Sequence, residues 1–180
     1  MKVVAIVGMA GSGKSEVAGI FEESGFVRIR FGDITDREIE NRGLELNEEN
    51  ERFIRELLRR QHGMPAYAEL NLPRIDEALK HFNVVIDGLY SWEEYTFLKA
   101  YYREDFSVVA VWASPQTRYP RLSSRSNRRL TLEEATERDK TEIENLNKGG
   151  PIAVADFTII NESSLADLRK ETRKVIEQLP

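Results

Sequence analysis

The chain has 180 residues, no cysteine, 32% charged side chains and a formal net charge of −5. That length suits one ordinary domain with a substantial core, and the missing cysteine excludes a disulfide frame, thiol catalysis and thiolate metal sites, as expected of a cytoplasmic protein. The acidic balance argues against broad nonspecific nucleic-acid binding, and no nucleic-acid signature stands out.

The first element is the apolar run "KVVAIV" at 2–7. Its apolar core, about five residues, is shorter than the roughly 7–15 of a secretory signal, and no later stretch approaches the roughly 20 apolar residues of a membrane span. Directly after it, Gly8-Met9-Ala10-Gly11-Ser12-Gly13-Lys14-Ser15 satisfies G-x-x-x-x-G-K-[ST]. Glycines let successive backbone N–H groups curl around a phosphate, and the helix that starts near Lys14 adds partial positive charge there. The Lys14 ammonium reaches toward β- and γ-phosphates in such a loop, and the Ser15 hydroxyl ligates Mg²⁺. Placement between a buried strand and a helix makes nucleotide binding the strong expectation.

A second strand is expected at 26–30 ("FVRIR"), and Asp33 just after it either orients an acceptor hydroxyl or caps the next helix. Residues 33–80 then hold two or three helices before the third strand, 83–87 ("NVVID"). That strand ends in Asp87-Gly88, where the carboxylate holds Mg²⁺ through water, as a Walker-B acid does, or the pair simply makes a turn. "SWEE" reads as a capping box of Ser91 and Glu94, and so does "TLEE", of Thr131 and Glu134. Between them lie the strand 107–112 ("SVVAVW") and a helix that starts at Ser114-Pro115.

The segment "RYPRLSSRSNRRL" (118–130) carries Arg118, Arg121, Arg125, Arg128 and Arg129. Phosphoryl transfer needs positive charge where the phosphoryl group moves, and Arg121 and Arg125 share a face if the helix continues; the bland alternative is a solvated basic face. In the next helix Leu132, Ala135, Ile143 and Leu146 form an apolar stripe. Asp139 falls on that stripe, so it is expected to pair with one of the arginines, while Arg138 points elsewhere on an ideal helix. The last strand is 156–160 ("DFTII"). Buried β-branched runs alternating with helices imply an α/β layer fold with a parallel sheet.

The phosphate loop, the "DG" strand end, the "RLSSR" arginine pair and "ADFTIIN" together resemble the nucleoside-monophosphate-kinase superfamily of P-loop proteins. "SPQTRYPRLSSR" and "ADFTIINESSLADL" are most similar to dephospho-coenzyme A kinase. "GKSEVA", Gly63-Met64 and Arg138-Asp139 are similar to a mainly archaeal family related to that kinase. The resemblance covers nearly the whole chain. It implies a three-layer P-loop NTPase fold over 1–180, with a five-stranded parallel sheet and helices on both faces. It implies ATP and Mg²⁺ at Gly8 to Ser15, an acceptor flap about 33–80 and an arginine lid about 118–130. Asp33 matches the acid that activates the acceptor hydroxyl, and Asn161 lies near adenine.

Two departures stand out. Adenylate kinases carry Pro-Arg after Asp-Gly-Phe to grip the acceptor phosphate, where this chain has Leu89-Tyr90. Residue 16 is Glu in place of the common Thr, which adds negative charge beside the metal-phosphate site. "NKGG" at 147–150 lacks the Asp of a guanine-binding N-K-x-D motif. The reading is a small-molecule kinase that moves the ATP γ-phosphoryl to a nucleotide-like acceptor. The alternative is an ATP-dependent regulatory switch with slow hydrolysis, acting on a protein or RNA partner.

Overall fold

A computed structural model describes residues 1–126 and 128–179. Five strands, β1 (Val3–Val7), β2 (Val27–Arg30), β3 (Val84–Asp87), β4 (Phe106–Trp112) and β5 (Phe157–Ile160), form one parallel sheet in the order β2-β3-β1-β4-β5. The central strand β1 pairs Val3 with Val84 of β3 on one side and with Phe106 of β4 on the other. Each expected strand is present, within a residue of its expected ends.

Alternation across the pleat sends neighbours to opposite faces. Val3, Ala5 and Val7 pack with Ile86, Tyr67 and Leu98 on one side of the sheet. Val4 and Ile6 pack with Phe21, Val85 and Val175 on the other. All five β1 side chains are fully buried, which explains an apolar run with no polar alternation.

Helix α1 (Lys14–Glu23) follows β1 and lies against the C-terminal helix α9 (Leu165–Gln178). Between β2 and β3 come three helices, α2 (Asp33–Asn41), α3 (Glu48–His62) and α4 (Ala66–Leu79). Helix α5 (Trp92–Tyr102) links β3 to β4, and α6 (Pro115–Ser123), α7 (Leu132–Glu144) and α8 (Gly149–Ala153) lie between β4 and β5. Among the described residues, no helix is long and apolar enough to cross a membrane.

The caps are mostly as read. Thr131 and Glu134 form a complete capping box, Ser114 accepts from the Thr117 amide, and a further box of Ser164 and Asp167 starts α9. At α5 only half of the box forms. Ser91 Oγ accepts from the Glu94 amide at 3.1 Å, but the Glu94 carboxylate turns back to the Tyr90 amide at 2.8 Å.

The expected stripe on α7 holds at Ala135 and Asp139 but fails at Leu132 and Ile143. Leu132 and Ile143 are 65% and 54% exposed, and the buried residues of the helix are Ala135, Asp139 and Glu142. The side of α7 that faces inward meets cations rather than a greasy core, so carboxylates are what fit there. Helix α6 also stops at Ser123, so Arg121 and Arg125 do not share a helical face.

Ile86 is fully buried at the centre of the sheet. Ile86→Ala should lower unfolding stability by about 2–5 kcal/mol, measured by urea denaturation, with the urea dependence of the unfolding free energy unchanged.

Candidate functional site

In a parallel α/β sheet the crevice outside the carboxyl ends of the strands is where ligands sit. Here that edge collects the 8–15 loop after β1, Asp33 after β2, Asp87 at the end of β3, Ser114 after β4 and Asn161 after β5.

The loop is held from two sides. Arg118 on α6, 3% exposed, donates through Nη1 to the Ala10 carbonyl at 2.9 Å and through Nε to the Ala113 carbonyl at 3.0 Å. The same guanidinium meets both carboxylate oxygens of Asp139, at 2.9 and 2.6 Å, and Tyr119 donates its hydroxyl to Asp139 at 3.1 Å. Asn161 Nδ2 donates to the Ser12 carbonyl at 2.8 Å. The glycines answer to this crowding. Gly11 sits at φ +80, and a Cβ there would lie 2.9 Å from the Arg118 carbonyl oxygen. Gly13, at φ +101, has no room for a Cβ beside the Asn161 amide. Gly13 also supplies no side-chain cap to α1, so the positive end of that helix stays open to an anion.

Cations crowd the floor of the site. Lys14 Nζ donates to the Met9 carbonyl at 3.0 Å. Lys148, 1% exposed, pairs with Glu142 at 3.0 Å and lies 5.5 Å from the centre of the Tyr90 ring. Arg138 contacts the same Glu142 at 3.4 Å and reaches Glu48 of α3 at 3.3 Å. It thus points elsewhere than Asp139, as an ideal helix expects, yet stays among the charges of the site. Burial, reinforced by the Lys148 charge, lowers the Lys14 ammonium to about 7. Against the upward push of burial, Lys148, Arg138 and Lys14 hold the Glu142 carboxyl down at about 2.

The other expected residues are distributed as follows. Ser15 and Glu16 are exposed in the first turn of α1. Asp87 is buried and ion-paired with Arg28 of β2, so it is more than a turn residue. Asp33 makes no helix cap; its two oxygens take Arg30 and Arg74, each at 3.2 Å. Asp33, Asp36 and Arg74 line an open groove of about 710 Å³ floored by Ile39, Leu44 and Leu46. Arg121 is partly buried with Nη1 unpartnered among the described residues. Arg125 is exposed beyond the helix, its carbonyl accepting from Arg129 Nε at 2.6 Å. Asn127, in the same segment, lies outside the described residues.

Sequence reasoning missed Arg118, Glu142 and Lys148. The signal for Arg118 was the inward acid Asp139, which called for an arginine without naming it. Lys148 was weighed only as part of a guanine motif.

The fold and the loop define a P-loop kinase-like α/β protein. Residues 4–147 match the family model described as "AAA domain". The chain belongs to the UPF0200 family: it is 36% identical to the UPF0200 protein of Thermococcus kodakarensis over 98% of this chain and 97% of that one. Solved structures share the fold. A gluconokinase from Sinorhizobium meliloti 1021 aligns with a TM-score of 0.62 at 17% identity, over 99% of this chain and 93% of that one. Dephospho-CoA kinase from Campylobacter jejuni aligns with a TM-score of 0.55 at 18% identity, over 99% and 97%.

Removing one partner of a buried ion pair strands the other charge. Asp139→Asn should therefore destabilise the protein by about 3–5 kcal/mol, read by denaturant unfolding, and should loosen the 8–15 loop, read as faster amide exchange at Ala10 and Gly11.

Proposed function

We propose that the protein is a phosphotransferase that binds ATP with Mg²⁺ at Gly8 to Ser15 and moves the γ-phosphoryl to a nucleotide-like acceptor. One observation carries this reading: a phosphate-type loop clamped by Arg118 and Asn161, with an open helix N-terminus and with Lys148 and Arg138 close enough to act on Lys14. Such preorganised charge stabilises what develops in the transition state without reorganising at that moment.

In the proposed reaction an acceptor oxygen forms a bond to the γ-phosphorus. The bond from that phosphorus to the β–γ bridging oxygen breaks, ADP leaves with the electron pair, and the acceptor proton passes to Asp33. Arg30 and Arg74 fix the two oxygens of that carboxylate. Lys14 and Arg121 meet the charge on the phosphoryl oxygens, and Arg125 joins them when 118–130 closes as a lid. The groove beside Asp33, within the 33–80 flap, is of a size to take a nucleotide-like acceptor.

Among the described residues no group of three His, Cys, Asp or Glu gathers as a metal site. Mg²⁺ takes one or two protein oxygens together with phosphate oxygens. The exposed Ser15 hydroxyl and the Asp87 carboxylate are the residues that would hold it, and it would neutralise charge between the β- and γ-phosphates. Asn161, by fixing Ser12, sets the wall nearest the base.

A second reading has one observation behind it. Arg28 occupies an Asp87 oxygen, and weaker metal ligation suits an ATP-dependent switch that hydrolyses slowly while acting on a protein or RNA partner.

The test is ADP formation from ATP and Mg²⁺ with nucleoside monophosphates, dephospho-coenzyme A and short RNA offered in turn. The kinase reading expects one acceptor to raise the rate well above basal, and Lys14→Ala to lower it by about 10²–10³. A rate that stays flat and slow across the panel contradicts it and favours the switch.

Binding should also move a proton. With its ammonium lowered to about 7, Lys14 is mostly neutral above that pH before nucleotide arrives. Phosphate favours the charged form, so binding at about pH 8 takes up a proton and the uptake fades as pH falls below the Lys14 value. Calorimetry in buffers of different ionisation enthalpy should show this, and Lys14→Met should abolish it.

A further inference from the structure

Lys148 is a lysine that the phosphate loop does not account for. Asn147 adopts a left-handed backbone, φ +51, and turns the chain so that Lys148 N donates to the Glu142 carbonyl at 3.1 Å. That reversal drives the side chain inward, where it is 1% exposed. A buried lysine normally has a carboxylate of its own, because an unpaired ammonium is costly away from water.

Here the carboxylate is shared. Glu142 is contacted by Lys148 at 3.0 Å and by Arg138 at 3.4 Å, and Lys14 also acts on it. Arg138 has a second acid in Glu48; among the described residues Lys14 Nζ donates to the Met9 carbonyl, and Lys148 is ion-paired with Glu142 and acted on more weakly by the buried Glu94. Asp87, the other acid close to Lys14, is taken by Arg28. The remaining face of Lys148 lies against the Tyr90 ring at 5.5 Å. Glu48 is also held by Arg55 and Glu94 by Arg59, so the cluster is short of negative charge. A doubly charged tetrahedral anion would restore the balance.

We propose that Lys148 is a second cation for the terminal phosphoryl group, completing with Lys14 and Arg138 a phosphate-class dianion subsite around Glu142. The proposal rests on the nucleotide reading above and adds to it the residue that tells a triphosphate from a diphosphate. Lys14 addresses the phosphates from within the loop. Lys148 approaches from the α7–α8 turn, behind Tyr90. Glu142 is the resting counterion of Lys148, and the arriving anion competes with it.

The experiment is calorimetric titration of the full chain with Mg²⁺ plus ATP or ADP. Wild type is compared with Lys148→Gln, Lys148→Arg and Glu142→Gln, with thermal melting of each. Wild type should bind ATP more tightly than ADP. In Lys148→Gln the ATP-to-ADP affinity ratio should fall about tenfold or more, the size expected for one lost hydrogen bond to a charged group, while ADP affinity stays close to wild type. Lys148→Arg should keep most of the ratio, and Glu142→Gln should keep it or raise it.

A Lys148→Gln protein that binds both nucleotides with the wild-type ratio overturns the subsite and leaves the nucleotide reading standing. Equal loss of the ratio in Lys148→Gln and Glu142→Gln also overturns it, since Lys148 then acts only as a structural partner. If Lys148→Gln does not fold, Lys148→Arg and Glu142→Gln decide: a retained ratio in both supports the subsite, and a lost ratio in Glu142→Gln overturns it. Wild type that binds neither nucleotide overturns the nucleotide reading itself.

Discussion

The site depends on one buried guanidinium. Arg118 joins the Ala10 carbonyl, the Ala113 carbonyl and the Asp139 carboxylate, so it fixes the phosphate loop, the end of β4 and helix α7 to one another. Burying an ion pair is weakly favourable at best, and a hydrophobic replacement often serves stability as well. What an apolar side chain cannot do is satisfy two carbonyls and orient a loop. Arg118 sets the close approach at Gly11, and through Asp139 it decides which side of α7 faces in.

That orientation places Arg138 and Glu142 where they act on Lys14 and lets Arg138 reach Glu48 of α3. Beyond the cluster around Lys14, ion pairs continue from Arg138 to Glu48, from Arg128 to Glu51 at 2.5 Å and to Asp36 at 3.1 Å, and from Arg30 to Asp36 and Asp33. Most of these pairs are partly open to water and individually weak, though the Glu51 carboxylate is buried. The 118–130 segment is thus tied to 33–80 by contacts that exchange easily, whereas the Arg118 tie is buried. A rigid loop beside readily exchanged contacts matches what a phosphate site needs, because the loop must be preorganised and its neighbours must admit substrate.

Much of this was legible in the residues. The three inner strands were readable because both faces of the sheet are covered there, which forces unbroken apolar runs such as Val3 to Val7, whereas β2 and β5 at the edges are partly open. The loop was readable because its geometry demands glycine at fixed positions. Asp139 was readable as an acid in need of an arginine. The apolar stripe of α7 failed in part for a physical reason: Leu132 and Ile143 face water, and beside Ala135 the inward residues are carboxylates matched to cations from other elements. Periodicity counts apolar residues and cannot see a polar interior. Lys148 was invisible for the same reason, since its neighbours Tyr90, Glu142 and Lys14 come from three separate parts of the chain. Asp33 was placed correctly after β2, but its partners Arg30 and Arg74 depend on how α4 packs.

The central claim is that the charges at the carboxyl edge of the sheet are arranged around a nucleoside triphosphate. A crystal structure with Mg²⁺ and an ATP analogue whose β–γ bridge resists cleavage tests it most directly. The account predicts the β-phosphate inside the 8–15 loop and the γ-phosphate within hydrogen-bond reach of Lys14, with Arg118 unmoved. An analogue bound with its phosphates outside that loop, or a loop still closed on Lys14 and Met9, would contradict it.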